Sequence, residues 1–458
     1  MRLKRIYTAV FLFVAFFSLI LMILGSFSAQ ITKEKCESLG LPIFFIETSK
    51  GKKINSKTEY RKATFSLENF DSSKNTLTGE CKIRGHGNTT WQTRELYKKP
   101  YLLKLNEPME LLGMNKSEKW ILLANTADKT SLRNYYAEYL AKNIFDKEAW
   151  IPSSKFVFLF LNGKFEGLYA LTEKVEQAPG KIELTGDGSF LAVVNSRMNK
   201  EWNFRSTRQV PFSIRKEFEG LSQTEQEKIY KTYQSKIQQI EDVIFSENFK
   251  NPETGYRKFL DVPSFVDWYI INEFTKNHDA KFQSSCYMTY HENLDRLFMG
   301  PVWDFDISCG NISWDNCQNP EGEFINANNW YKRLFEDEYF RNLVYQRWNE
   351  KSAELANSFE WIQNQANLIY PAIILNDSVW KNIGHRQWPH APGWRKRKTY
   401  QSEIDYMVSF LEKRQFWLNE KYNTEEMKKN FTIDSGEKKN DSYRKKHPCY
   451  RCSWLYRQ

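Results

Sequence analysis

The chain has 458 residues, 41% of them hydrophobic and 16% aromatic, enough apolar material for a large core and enough to exclude global disorder. Lys and Arg (66) outnumber Asp and Glu (56), for a formal net charge of +10. This modest excess suits phosphate-bearing ligands, acidic partners or anionic surfaces. No Arg-rich array or nucleic-acid motif accompanies it, so no nucleic-acid partner is expected.

The chain opens on MRLKRIYT, which is basic, and then runs without a charge from Ala9 to Gly25. Residues 1–30 read as either a cleaved signal peptide or a short membrane anchor. Ser26-Phe27-Ser28 offers small residues for cleavage. Left uncleaved, residues 6–25 would tether the protein to a membrane. Basic residues ahead of the apolar run put the rest of the chain outside the cytoplasm, so the expectation is an extracytoplasmic protein, secreted, periplasmic or tethered.

Residues 31–215 read as a strand-rich lobe. LPIFFIET, ATFSLENF, KKPYLLKL and KWILLAN are strand candidates. KFVFLFLNGKFEGLYALTEKV reads as two strands turning at Asn162-Gly163. DKTSLRNYYAEYLAKNIF carries apolar residues at helical spacing, with Asp128 or Ser131 available as a cap. Residues 216–425 read as mainly helical. LSQTEQEKIYKTYQSKIQQIEDVIF and DVPSFVDWYIINEFTKN are amphipathic, the second with Pro263 in its first turn. CYMTYHENLDRLFMG is a further hairpin turning at Asn293 to Asp295, and long helical stretches come after it. Residues 426–458 form a charged, apolar-poor tail. The fold class is therefore α+β.

Seven cysteines make an odd count. Cys309 and Cys317 are close enough in sequence to bridge a loop in an oxidising compartment. Cys449-Tyr-Arg-Cys452 is a lone CxxC in a polar tail, read as a local disulfide or as nothing functional.

Two acidic turns carry the chemistry. A helix ends at TKN, and His278-Asp279-Ala280 continues as a loop. Then comes the hairpin, and then GPVWDFDISCG, with Asp304 and Asp306 on either side of Phe305. A protein kinase presents its machinery in this order: one Asp receives the proton of the acceptor hydroxyl, and a second, after a small hairpin, holds Mg²⁺. Upstream, Arg84-Gly85-His86-Gly87-Asn88-Thr89-Thr90-Trp91 is a turn able to offer N–H groups and hydroxyls to an anion. Lys104 alternates with apolar neighbours on its strand and can face a nucleotide, and Glu173 can pair with such a lysine. Each residue also has a plain structural reading: turn, solvated lysine or surface carboxylate. Asp128 and Arg133 are read chiefly as a helix cap and its neighbour. The basic run Arg395–Lys398 reads as a solvated helix start, and His385 and His390 as packing residues.

The ordered run IRGHGNTTW, KKPYLLKL, WILLANTADKTSLRN, LNGKFEGLYALTEKV, INEFTKNHDA, CYMTY, LFMGPVWDFDISCGN and NNWYKRLF resembles the CotH kinase family. The resemblance runs from about residue 80 to residue 420. It implies an atypical, two-lobed protein-kinase-like fold that transfers the ATP γ-phosphate to serine on secreted or surface proteins. By position it implies Asp279 as the catalytic Asp, Asp304 or Asp306 as the ligand of Mg²⁺ or Mn²⁺, and the Gly85–Trp91 turn with Lys99 and Lys104 as the phosphate region. Its implied partner is a serine-bearing protein. The rival expectation is a catalytically inactive surface-binding protein on the same fold, and a weaker one is transfer of a nucleotidyl group.

Overall fold

The computed structural model describes residues 31–422 apart from 71–74, 185, 199–201, 216, 217, 219 and 328. The leader or anchor, the charged tail and the Cys449/Cys452 pair lie outside the described residues. Among the described residues no helix is long and apolar enough to cross a membrane.

Seven strands form a closed barrel. They are β1 (Ile43–Thr48), β2 (Arg61–Glu68), β3 (Leu77–Gly85), β4 (Tyr101–Met109), β5 (Ser117–Leu123), β6 (Ser154–Leu161) and β7 (Lys164–Glu173). The order is β1-β2-β3-β4-β5-β7-β6, and β1 closes the ring by pairing parallel to β6. The β6–β7 hairpin turns at Asn162-Gly163, as its sequence predicts. Alternate residues point inward, which is the period of a pleated strand. Tyr101, Leu103 and Leu105 of β4 meet Trp120 and Leu122 of β5 inside the barrel. Leu102 and Lys104 therefore take the outer face. Nothing in the strand pattern alone announces closure, because β1 and β6 are far apart in sequence.

A second sheet has the order β12-β11-β8-β10-β9. It consists of β8 (Phe190–Asn195), β9 (Asn203–Arg205), β10 (Pro211–Ile214), β11 (Ser284–His291) and β12 (Arg296–Met299). The expected boundary at residue 215 runs through this sheet: β8 to β10 come from one side and the β11–β12 hairpin from the other.

The longer helices are α1 (Arg133–Tyr139, continued by a π-helical turn Leu140–Ile144), α2 (Gln223–Ile244), α3 (Val262–Thr275), α4 (Glu338–Trp380) and α5 (Tyr400–Tyr422). Helix α3 is buried at almost every position, so it sits inside the C-terminal part and not on its surface. Asp261 caps it by accepting from Ser264 N (3.0 Å), and Lys276 ends it with φ 49°. The α+β class is observed: a strand-rich region followed by a helical C-terminal part.

One expected feature is corrected. Cys309 and Cys317 are both free and buried, as are Cys36, Cys81 and Cys286. The two thiols face different partners: Cys309 Sγ lies 3.4 Å from Ser308 Oγ, and Cys317 donates to Asp315 O (3.7 Å).

Lys98 ties the barrel to α4. Its Nζ donates to Ala124 O (3.0 Å), to Leu168 O and to Asn376 Oδ1 of α4 (3.0 Å), and lies 4.3 Å from the Tyr169 ring centre. Burial pushes its pKa down to about 7 from the usual 10.5. The unfolded chain therefore binds more protons between these values, and stability through this group rises as pH climbs from about 7 toward 10.5. Lys98→Met is expected to leave its acceptors unsatisfied, at a cost of about 2 kcal/mol near pH 9. It should also flatten that rise, which reaches at most about 1.4 kcal/mol per pH unit. Urea unfolding at pH 7, 8 and 9 reads both effects; parallel curves for the two proteins would contradict the assignment.

Candidate active site

A cleft of ≈ 1390 Å³ lies between the outer face of β4, β5 and β7 and the loops around α3 and β12. Both acidic turns open into it. Asp279 sits on the loop after α3, with its side chain 24% exposed. Asp304 and Asp306 come just after β12. Phe305 between them is buried in the C-terminal core, so the large ring anchors the turn while its neighbours point away. Asp304 takes φ 69°, a left-handed conformation that Asp tolerates better than most residues. Ser285 (φ 61°), at the irregularity in the β8–β11 pairing, donates its hydroxyl to Asp304 Oδ2 at 3.0 Å. A bulge re-aims a side chain in this way, and here it fixes the carboxylate.

The carboxylates feel one another. Burial and the Asp279 charge push Asp304 up to about 6. Burial, then Asp304, Asp279 and Asp128, raise Asp306 well above the usual carboxylate range. Such a cluster is costly unless a cation neutralises it. Among the described residues no three His, Cys, Asp or Glu side chains form a ready-made metal cage. The pair Asp304 and Asp306 suits the other mode of holding Mg²⁺, in which one or two carboxylates are completed by phosphates and water. The donor set therefore fits the expected metal.

The turn is clamped from below. Arg133, at the start of α1, pairs with Asp128 in a fully buried ion pair, both side chains 1% exposed. Asp128 also accepts from Thr130 N (3.0 Å), Thr130 Oγ1 (2.6 Å) and Arg133 N (2.9 Å); neither it nor Ser131 is the N-cap, a place taken by Leu132 with no side-chain cap bond, but Asp128 holds the first amide of the helix. Arg133 Nε then donates to Ser308 O (3.0 Å), just past the acidic turn. Asn134 accepts from Phe305 N at 2.6 Å. Arg133 thus acts on the backbone that carries Asp306.

The opposite wall is cationic. Lys119 on β5 and Lys174 just after β7 line the cleft and converge on Glu176, at 3.5 and 2.8 Å. Lys181 joins them at 3.4 Å. Burial raises Glu176, but the Lys174, Lys181 and Lys119 charges outweigh it and hold the carboxyl below its usual range. At the rim, Lys57 donates to Gly87 O and Asn88 Oδ1 (both 2.9 Å), and Arg197 donates to Thr89 Oγ1 (2.7 Å). Burial, then the neighbouring Arg197 and Arg84 charges, lower the Lys57 pKa. Like-charged cations crowded at one rim raise the positive potential there.

Of the residues singled out in the sequence, Asp279, Asp304, Asp306, Arg84, Gly87, Asn88 and Thr89 line this cleft. Gly87 has φ 77°, and a Cβ there would meet Thr90 Oγ1 at 2.3 Å. Four residues lie elsewhere. Gly85 lies under the Trp91 ring, where a Cβ would sit 2.5 Å from the indole. Lys99 donates to Trp91 O (2.8 Å) and Thr93 O (3.2 Å) and so braces the turn. Lys104 faces solvent beside Glu118 at 3.7 Å. Glu173 is fully buried and accepts from Asn115 N (3.0 Å) and Ser153 N (2.8 Å). The residue lining the cleft on this face is Lys119, the direct cross-strand neighbour of Lys104. The cleft thus takes its lysine one strand over, and its lysine-paired carboxylate three residues beyond Glu173. Asn134 lies in the ADKTSLRN stretch that carries the resemblance, whereas Arg197 and Ser285 carried no local motif that could have flagged them.

The cleft pairs a carboxylate cluster with a cationic wall in an α+β protein whose barrel is joined to a helical body. Residues 82–418 match the family described as CotH kinase protein, and the chain belongs to that family. The inner spore coat protein H of Bacillus subtilis (strain 168) is 24% identical over 300 residues, covering 63% of this chain and 77% of that protein.

Breaking one half of the buried pair strands the other charge. Arg133→Ala is expected to lower stability by about 3–5 kcal/mol in denaturant unfolding. Lys104→Ala, an exposed lysine, should change it by less than about 0.5 kcal/mol. Equal effects would mean that the clamp is not structural.

Proposed function

We propose that this protein is an extracytoplasmic, metal-dependent protein serine kinase that transfers the γ-phosphoryl group of ATP to a secreted or surface protein. The observation that carries the reading is the convergence of Asp279, Asp304 and Asp306 on one cleft, facing Lys119, Lys174 and Glu176. Membership of the CotH kinase family supports it. The relative is by name a spore coat protein, and the basic flank before the apolar run supports the same side of the membrane. On this reading the barrel with the second sheet, and the helical part, act as the two lobes.

Each residue's role comes from its place. Lys119 and Lys174, oriented by Glu176, would bind the nucleotide phosphates, with Lys57, Arg84 and Arg197 at the rim. Val175, Ile182, Leu184, Tyr287 and Trp303 supply an apolar stretch of the cleft for the base. Asp304 and Asp306 would hold Mg²⁺ or Mn²⁺, which when bound neutralises charge on the transferring phosphoryl group. Asp279, whose side chain is partly open to the cleft, would accept the serine hydroxyl proton as the oxygen attacks phosphorus. The bond from the γ-phosphorus to the bridging oxygen breaks, and ADP leaves.

The test uses γ-labelled ATP, Mg²⁺ or Mn²⁺ and dephosphorylated casein as acceptor. Wild type should transfer label, and EDTA should abolish it. Asp279→Asn should lose about 10²-fold or more in kcat, the usual scale for a general base. Asp304→Ala should be inactive, and Lys174→Met should raise KM for ATP. Transfer that is unchanged in Asp279→Asn would sink the proposal. No transfer together with partner binding that survives Asp304→Ala would favour a binding protein on the same scaffold. The mass added to the acceptor separates a phosphoryl group from a nucleotidyl group.

A further inference from the structure

His278, immediately before Asp279, has no role in the scheme above, yet both its ring nitrogens are engaged. Nδ1 lies 3.2 Å from Asp279 Oδ1, and Nε2 lies 2.8 Å from Asp315 Oδ2. The ring is held edge-on by Trp314 (centroids 5.8 Å, interplanar 78°) and packs against Phe324. Its side chain is 9% exposed. Asp315 belongs to the loop that leaves the acidic turn, and that loop is fixed at its far end. Lys276 Nζ donates to Asn319 O (2.8 Å) and Glu321 O (2.6 Å), and Arg414 donates to Pro320 O (2.8 Å) and Gly322 O (2.7 Å).

We propose that His278 is a positioning residue: its ring ties one oxygen of Asp279, and Asp315 in turn fixes the ring. The inference rests on the reading of Asp279 as the base. Nε2 has two competing neighbours, the Asp315 carboxylate and the Trp314 indole N–H at 3.2 Å. A ring flanked by carboxylates at both nitrogens makes two charge-assisted hydrogen bonds when it is imidazolium, and these are stronger than one indole bond to a neutral ring. The raised pKa of His278 agrees: burial opposes the charge, and hydrogen bonds to Asp279 and Asp315 outweigh it. Lys281 Nζ lies over the Phe324 ring, 4.9 Å from its centre, and Lys276 Nζ is held by the Asn319 and Glu321 carbonyls.

The consequence is geometric. With Oδ1 tied to Nδ1–H, the Asp279 carboxylate cannot rotate freely toward Asp304 and Asp306. Oδ2 is left to take the serine proton. His278 keeps its own protons throughout, so no proton passes through it. A base displaced by a fraction of an ångström loses rate without losing nucleotide affinity.

The test separates this role from plain structure. His278→Ala should lower kcat by about 10- to 100-fold, with KM for ATP little changed. His278→Asn puts an amide N–H near the former Nδ1 and should recover most of the loss. Asp315→Asn should lower kcat more mildly. Wild-type kcat in His278→Ala, or no rescue by Asn, overturns the proposal. A second arm does not depend on activity. In full-length protein labelled with ¹⁵N-histidine, the His278 signals are assigned by their loss in His278→Asn. Asp279→Asn and Asp315→Asn should each shift these signals. Unshifted signals overturn the proposal even if transfer is observed. Shifted signals with no transfer in any assay sustain the tie and sink the kinase reading instead.

Discussion

Three aspartates share one cleft, and their mutual repulsion has to be carried by the fold around them. Burial first, and then the neighbouring aspartate charges, raise the Asp304 and Asp306 carboxyls. The Arg133–Asp128 pair braces the turn that bears them from underneath: Arg133 donates to the Ser308 carbonyl just beyond the turn, while Asp128 holds Arg133 by its side chain and its backbone N–H. Ser285 fixes Asp304 from the side, and Asn134 fixes the Phe305 amide. A buried ion pair is a poor source of net stability. Its value here is directional: the guanidinium it holds donates to the Ser308 carbonyl just past the acidic turn.

The architecture divides the labour. The barrel is rigid because every strand is paired on both sides, and it offers its outer face to the cleft. The helical part supplies the acidic loops at the ends of α3 and β12. The five-stranded sheet takes strands from both halves of the chain and so ties β8 to β10 to the β11–β12 hairpin that leads into the acidic turn. Lys98 adds a second tie, from the barrel to α4.

Much of this was legible in the sequence, and sequence range decided which parts. Hairpins signalled by local turns, at Asn162-Gly163 and Asn293 to Asp295, are observed. The helices with clear periodicity and caps are observed too. Both acidic turns reach the same cleft, because a helix, a loop and a hairpin of that length bring their ends together. What failed was non-local. Lys104 lies on the right face of the right sheet, but on β4 it is Leu102 that lines the cleft, and Lys104, two residues on, faces solvent beside Glu118. Glu173 alternates like a pairing carboxylate, yet the strand ends there and the chain turns, so Glu176 meets the lysines. Cys309 and Cys317 are near in sequence, but the clamp and the loop turn them to different partners. Arg197 and Lys57 reach the rim only through tertiary packing.

The five thiols of the described residues are all buried, and burial pushes the Cys309 pKa to about 11 and those of Cys36, Cys81 and Cys317 to about 12. Only a thiolate attacks an oxidant or a disulfide, so the folded domain is chemically quiet toward both. The same groups are ordinary reactive thiols in an unfolded chain. If the chain is exported, it meets an oxidising compartment in that unfolded form, and a race begins between collapse of the core and adventitious cross-linking. Cys286 and Cys309 sit in the C-terminal core beside the acidic loops, so completion of that core is what withdraws them from this chemistry.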